Sequence, residues 1–261
     1  MLIIFAYILT GVIAGVTGGL LGLGGGAIIV PILYALFAWL DLAPTATMQL
    51  AVGTSLATIV FTAMSSGLTH QRLGNVQIKT LLALAPGIVI GALLGAVIAD
   101  AVSSDVLKKV FGLFEIMIAI QIGFGFKPAA HRSLPSSTGL AVSGGLIGVV
   151  SSVMGIGGGS MTVPYLLWCN VSMREAVGTS AACGFPIAVA GVIGFIIGGL
   201  NNTGLPDWSL GYVYLPAMLC IISTSMIFAP IGARLAHQLP IHTLKRIFAV
   251  VLLLVGLKML F

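Results

Sequence analysis

The chain has 261 residues, of which 11 are Lys or Arg and 6 are Asp or Glu, so only 7% are charged where about 25% is usual for a soluble domain. Hydrophobic residues make up 59%, and the mean hydropathy is +1.18. So few charges cannot dress the surface of a water-soluble globule, which excludes a soluble enzyme, a secreted disulfide scaffold, a nucleic-acid binder and a disordered chain, and leaves lipid as the solvent.

Apolar stretches at about 3–21, 27–40, 46–68, 78–99, 106–125, 137–154, 160–170, 174–199, 210–230 and 241–260 predict an all-α polytopic membrane protein. The first has no basic stretch ahead of it and reads as a membrane segment, not a cleavable signal peptide. Crossing the hydrocarbon core takes roughly 20 residues. The second and seventh stretches are too short, and each follows a run of glycines. That pattern predicts a broken or re-entrant helix. Irregular backbone at membrane depth is tolerated only inside protein or beside a wet cavity, so both places are candidate functional sites. Cys169, Cys183 and Cys220 are odd in number and widely spaced, and read as small buried hydrophobes with no disulfide or metal role.

The chain also resembles itself. Gly22-Leu23-Gly24-Gly25-Gly26 followed by Pro31 recurs as Gly155-Ile156-Gly157-Gly158-Gly159 followed by Pro164. Ala51-Val52-Gly53-Thr54-Ser55 recurs unchanged as Ala176-Val177-Gly178-Thr179-Ser180, and Leu107 to Phe111 parallels Leu244 to Phe248. These matches divide the chain into a repeat at 1–126, a linker at 127–136 and a repeat at 137–261. Five segments per half is an odd number, so the second half inserts upside down. Charge supports this: strict alternation puts Arg72, Lys79, Lys127, Arg132, Arg174, Arg234, Lys245 and Arg246 on one face and Lys108, Lys109 and Lys258 on the other. The 8-to-3 bias makes the first face cytoplasmic and leaves both termini outside.

Inverted repeats with broken helices are a design of secondary transporters, which bind substrate where the breaks converge. Glycine lets backbone or ligand approach closely, and Pro31 and Pro164 suit the first turns of the helices that follow. Free N–H groups at those helix starts favour an anion. The predicted substrate contacts are therefore Gly24, Gly25, Gly26, Gly157, Gly158 and Gly159, with hydroxyls from Thr54, Ser55, Thr179 and Ser180. Ser151, Ser152 and Ser160 flank the second break, whereas their first-half counterparts Gly18, Gly19 and Ala27 carry no hydroxyl, so the site is expected to be asymmetric. Close helix packing is an equally good reading of any single Thr or Ser, and the better one for Gly11-x-x-x-Gly15, Gly91-x-x-x-Gly95 and Gly194-x-x-x-Gly198.

The G-x-G-G-G-x4-P motif, the A-V-G-T-S motif and their duplication resemble the TauE/SafE family of sulfite and organosulfonate exporters over nearly the whole chain. The resemblance implies a bacterial-type inner-membrane transporter of a small sulfur-containing anion such as sulfite or sulfoacetate. In that pattern a basic residue often stands two places before A-V-G-T-S; here Arg174 fits it and Gln49 occupies the other copy, making both candidate gating or anion contacts.

Among the charged residues, Glu115 lies mid-segment and is a candidate proton carrier, or else a carboxyl bonded to a neighbouring helix. His70, His131, His237 and His242 fall near joints and are expected to be solvated or interfacial, and Asp41, Asp100, Asp105 and Asp207 read as loop residues. The partners expected are the lipid bilayer, a small anion and protons, with no cofactor, metal or nucleic acid. An anion channel, or a transporter of another small organic anion, is the alternative reading. An intramembrane enzyme would need a catalytic dyad or metal cluster that the sequence does not offer, and a scaffold would leave the duplicated breaks without a purpose.

Overall fold

A computed structural model describes residues 2–22, 24–124, 133–236 and 241–261. Lys127, His131, Arg132 and His237, most of the expected linker, and the side chains of His242, Lys245 and Arg246 lie outside the described residues. The elements are α1 (Leu2–Leu21), α2 (Gly26–Trp39), α3 (Thr47–Arg72), α4 (Ile78–Ala101), α5 (Ser104–Gly123), α6 (Ser137–Met154), α7 (Gly159–Trp168), α8 (Met173–Gly199), a two-stranded ribbon of β1 (Ser209–Leu210) and β2 (Val213–Tyr214), α9 (Leu215–Leu235) and α10 (Ile241–Leu260). Among the described residues, six helices, α1, α3, α4, α6, α8 and α9, are long and apolar enough to cross a membrane. The protein is a polytopic all-α membrane protein.

Small residues set the helix pairings, because membrane helices associate through close packing and not through burial from water. Along α1, a Cβ added at Gly11, Gly15 or Gly19 would strike the backbone of Ile221, Ser225 or Ala229 on α9. Along α4, one at Gly87, Gly91 or Gly95 would strike the backbone of Ala141, Gly145 or Val149 on α6. Both pairs advance four residues for four, so both run parallel. The α3/α8 pair runs the other way: Leu56 meets Gly191, Ala63 meets Gly184 and Gly67 meets Ala182. So does α5/α10, where Gly112 meets Gly256 and Gly123 meets Ala249. Two pairs of repeat mates that each meet antiparallel, α3 with α8 and α5 with α10, require the halves to be related by a two-fold axis across the helices. This is the inverted arrangement, and it brings both termini to one face.

The short helices also acquire a definite path. The end of α1 reaches the last turn of α3, where Gly19 O lies 3.0 Å from His70 Nε2. The chain then doubles back through Gly22, which lies against Val177 near the start of α8, and Gly24, which lies against Ile59 in the middle of α3. Only there does α2 begin. The 14 residues of α2 rise roughly 21 Å and the 10 residues of α7 roughly 15 Å. Each short segment therefore pairs an irregular, left-handed glycine stretch with a helix too short to cross by itself.

Several expectations need correction. His70 is buried at 1% exposure, not solvated, because α1 ends above it. Asp100 closes α4 and accepts a 2.8 Å hydrogen bond from Tyr212 Oη, and Asp105 lies in the first turn of α5, so neither is a loop residue. The ninth segment starts at 215, not 210, because the β ribbon precedes it and Pro216 falls in its first turn.

The arrangement makes a topology prediction. With Cys169, Cys183 and Cys220 replaced by Ala, Arg72→Cys and Asn201→Cys, both at exposed positions, should react from opposite sides of the membrane. An impermeant thiol reagent added to intact cells should label Asn201→Cys at once and Arg72→Cys only after permeabilisation. Equal labelling of the two would be incompatible with the inverted packing.

Candidate functional site

The two glycine breaks meet at mid-depth. A Cβ at Gly24 would lie 2.8 Å from Gly157 Cα, and one at Gly26 would collide with Gly155 O and lie 2.8 Å from Ile156 Cα. Glycine is thus required on both sides for backbone to touch backbone. The N-caps have nearly the same conformation in the two halves: Gly25 has φ 81° and ψ −10°, Gly158 has φ 79° and ψ −12°, and neither is capped by a side chain. Left-handed backbone of this kind is cheap only for glycine. From this junction α2 runs toward one face and α7 toward the other, so their N-terminal ends face each other. Among the described residues, the N–H groups of Gly159 and Ser160 have no hydrogen-bond acceptor.

The A-V-G-T-S motifs brace the junction, and they do so reciprocally. Ser55 Oγ donates to Gly155 O at 2.9 Å, and Ser180 Oγ donates to Gly22 O at 3.3 Å. Each serine thereby secures the break of the other half. The preceding threonines hold the loops over the two faces: Tyr214 N donates to Thr54 Oγ1 at 2.9 Å, and Gln77 N donates to Thr179 Oγ1 at 3.0 Å. Gly53 and Gly178 let those loops approach, since a Cβ on either would strike Tyr212 O or Asn75 O. In this closed state the serine protons are engaged by carbonyls and do not point at an empty site.

The remaining predicted residues separate into two groups. Ser152 and Ser160 lie at the second break, both buried; Ser152 Oγ has no hydrogen-bond partner among the described residues and faces α8, 3.0 Å from where a Cβ on Gly191 would stand. The structure does not bring Gln49 and Arg174 together. Gln49 is buried at the start of α3, where Nε2 donates to Val102 O at 2.8 Å and Ala99 O at 3.3 Å, tying α3 to the end of α4. Arg174 is exposed at the start of α8, on the opposite face because α3 and α8 are antiparallel. Glu115 is fully buried on α5, and neither carboxyl oxygen has a hydrogen-bond partner among the described residues.

Thr162 also stands at the second break and was not singled out in the sequence. It is fully buried one turn into α7, its Oγ1 has no partner among the described residues, and that oxygen lies 3.5 Å from a Cβ position on Gly158 that the Ile187 side chain already fills. Ser151 Oγ lies 3.6 Å from the same point. The repeat register carried the signal, since Thr162 takes the place of Ile29.

The bracing can be measured. Ser55→Ala or Ser180→Ala should each destabilise the protein by about 1–2 kcal/mol, the loss expected when a buried carbonyl forfeits its donor. Gly24→Val should be far worse, because the break could not close on Gly157. Thermal unfolding of the purified protein in detergent reads both effects. Serine variants as stable as the parent would remove the bracing role.

The model of the family described as "Sulfite exporter TauE/SafE" matches residues 7–259. A protein of Haemophilus influenzae named "Probable membrane transporter protein" is 36% identical over 253 residues, covering 97% of this chain and 96% of that one. The Bacillus subtilis proteins YdhB and YunE, with names of the same form, are 30% and 28% identical; the first match covers all of both chains, and the second covers 97% of this chain and 96% of YunE. No solved structure matches.

Proposed function

The chain belongs to the TauE/SafE sulfite exporter family of membrane transporters, and on that premise we propose that it is a secondary exporter of a small sulfur-containing anion, sulfite or an organosulfonate, in a bacterial-type inner membrane. Its relatives are transporters and not enzymes. The observation that carries the reading is the meeting of two half-helix N-termini, one from each inverted half, at the middle of the bilayer. Helix N-termini attract anions through their free N–H groups and the aligned peptide dipoles, and discontinuous helices at a repeat interface are where secondary transporters bind their cargo. The anion is held between the breaks, at Gly24 to Gly26 and Gly157 to Gly159.

Alternating access then has a physical basis. The Thr54 and Ser55 bonds seal one face and the Thr179 and Ser180 bonds seal the other. Release of one set opens a path from that face to the junction while the other stays shut. The direct contact of Gly24 with Gly157 favours such a carrier over an open channel, because backbone blocks the path between the two faces.

Proton coupling through Glu115 completes the proposal. A carboxylate with no partner in an apolar bundle is costly, whereas its neutral form is far less so. The side chain is therefore suited to hold a proton and to release it when the bundle rearranges.

Flux assays on reconstituted proteoliposomes test both parts. Radiolabelled sulfite or a short organosulfonate should show saturable flux, with counterflow when unlabelled anion is trapped on the far side. Glu115→Gln should abolish accumulation driven by a proton gradient while sparing counterflow. Flux that never saturates would indicate a channel, and no flux of any of these anions by folded protein would sink the proposal.

A further inference from the structure

We infer that Tyr212 is a gating residue of transport: its phenol, bonded to Asp100, locks the β ribbon over the outer end of the α3/α8 crossing and holds the outward gate shut. This rests on the alternating-access reading above and assigns the lock of one of its two gates.

Three observations carry it. The first is placement. Tyr212 shares the turn of the ribbon with Gly211 and is buried at 5% exposure. Its N–H donates to Phe195 O on α8 at 3.2 Å, its carbonyl lies against Gly53 on α3, and its ring meets Phe195 edge to face at 6.3 Å. Two residues on, Tyr214 N donates to Thr54, the neighbour of the Ser55 that braces the junction. The ribbon thus touches both crossing helices on the outer side of the brace, and cargo leaving the junction between them has to displace it.

The second is the manner of attachment. A Cβ at Gly199 would strike Tyr212 N, and one at Gly211 would strike Ile196 O. Backbone lies on backbone at these points, and such contacts part without repacking, so side chains hold the ribbon down. Tyr212 Oη donates to Asp100 Oδ1 at 2.8 Å, and Asn202 Nδ2 donates to the same phenol at 3.4 Å. Asp100 ends α4, a helix fixed by its glycine seam with α6. The phenol therefore ties a detachable ribbon to the frame, through a charge-assisted bond stronger than the neutral backbone bonds beside it.

The third is a difference between the two covers. The inner cover repeats the backbone contacts with other side chains: Asn75 N donates to His70 O at 3.0 Å, Asn75 O lies against Gly178, and Gln77 N donates to Thr179. Asn75 and Gln77 stand where the outer cover has Tyr212 and Tyr214. In addition to the shared backbone bonds, opening the outer face must separate the Tyr212 ring from Phe195, the Tyr214 ring from Phe37 at 5.6 Å, and the phenol from Asp100.

The test is side-specific labelling by an impermeant thiol reagent, in the full chain with Cys169, Cys183 and Cys220 replaced by Ala. Val52→Cys is the outer reporter, because Val52 is buried against Gly155, directly before Gly53. Val177→Cys, its repeat counterpart against Gly22, is the inner reporter, read in inside-out vesicles. The labelling rate follows the fraction of molecules whose gate is open. Tyr212→Phe keeps the ring and removes the bond. It should speed outside labelling of Val52→Cys by about tenfold, the shift expected for one hydrogen bond to a charged group at an exposed position, and should leave Val177→Cys no faster. Asp100→Ala should act alike, and the double variant no more strongly than either single one, since both remove the same bond. Asp100→Asn, which still accepts the phenol proton, should return the rate to within a few-fold of the parent. An unchanged Val52→Cys rate in folded Tyr212→Phe, an equal rise at both reporters as general loosening would give, or a double variant that multiplies the single effects would each overturn the inference. Labelling reads the gate and proteoliposome flux reads the cargo. A parent that carries sulfite while Tyr212→Phe labels no faster loses only the lock, and one that labels as expected yet moves none of the anions loses only the cargo.

Discussion

Everything in this protein follows from the need to shelter unpaired backbone in the middle of a membrane. Lipid offers no hydrogen bonds, so an interrupted helix is tolerable only where protein surrounds it. Here the two interruptions shelter each other. Gly24 and Gly157 touch through backbone alone, and the carbonyls on either side are taken up by Ser55 and Ser180 from the opposite halves. The antiparallel crossing of α3 and α8 follows from the same need, since each must carry its serine to the other's break. The parallel glycine seams of α1 with α9 and α4 with α6 hold the frame around that centre.

The same contacts that make the junction stable also make it sensitive to movement. A pair of 2.9 and 3.3 Å serine bonds and a pair of threonine bonds are modest interactions, each worth about 1 kcal/mol. They are few enough to be exchanged for ligand contacts. The two faces differ in their covers: one has the short turn between α3 and α4, the other a ribbon whose Tyr212 is anchored to Asp100 and meets Phe195 edge to face. The halves are symmetric in their helices and unlike in their lids.

Much of this was legible in the sequence, for identifiable reasons. Segment positions follow from runs of apolar residues, and the inverted order follows from an odd repeat and the sorting of Arg and Lys. The breaks were legible because Gly-x-Gly-Gly-Gly with a proline five residues on has few other uses in a membrane segment. The partners of the hydroxyls were not. That Ser55 bonds Gly155 depends on how α3 crosses the other half, and no local pattern encodes a crossing. His70 looked solvated because it stands near a chain turn; the end of α1 that covers it is 51 residues away. Thr162 escaped because threonine within an apolar helix has no signature of its own, and only its alignment with Ile29 sets it apart. That Gln49 and Arg174 stand on opposite faces has the same geometric reason: equivalent positions in inverted repeats are carried to opposite sides.

The lack of a buried lysine or arginine among the described residues has an energetic consequence for the proposed transport. A carrier whose site holds its cargo with peptide dipoles and hydroxyls brings no counter-charge of its own to the crossing. Under the proposed function, a monoanion carried outward without a proton moves one negative charge across the membrane voltage. With a cell interior negative by 100 mV, that step is favoured by about 2.3 kcal/mol, enough to hold the anion roughly fiftyfold more dilute inside than out. The membrane potential then adds to the proton gradient as a driving force on the proposed anion cargo.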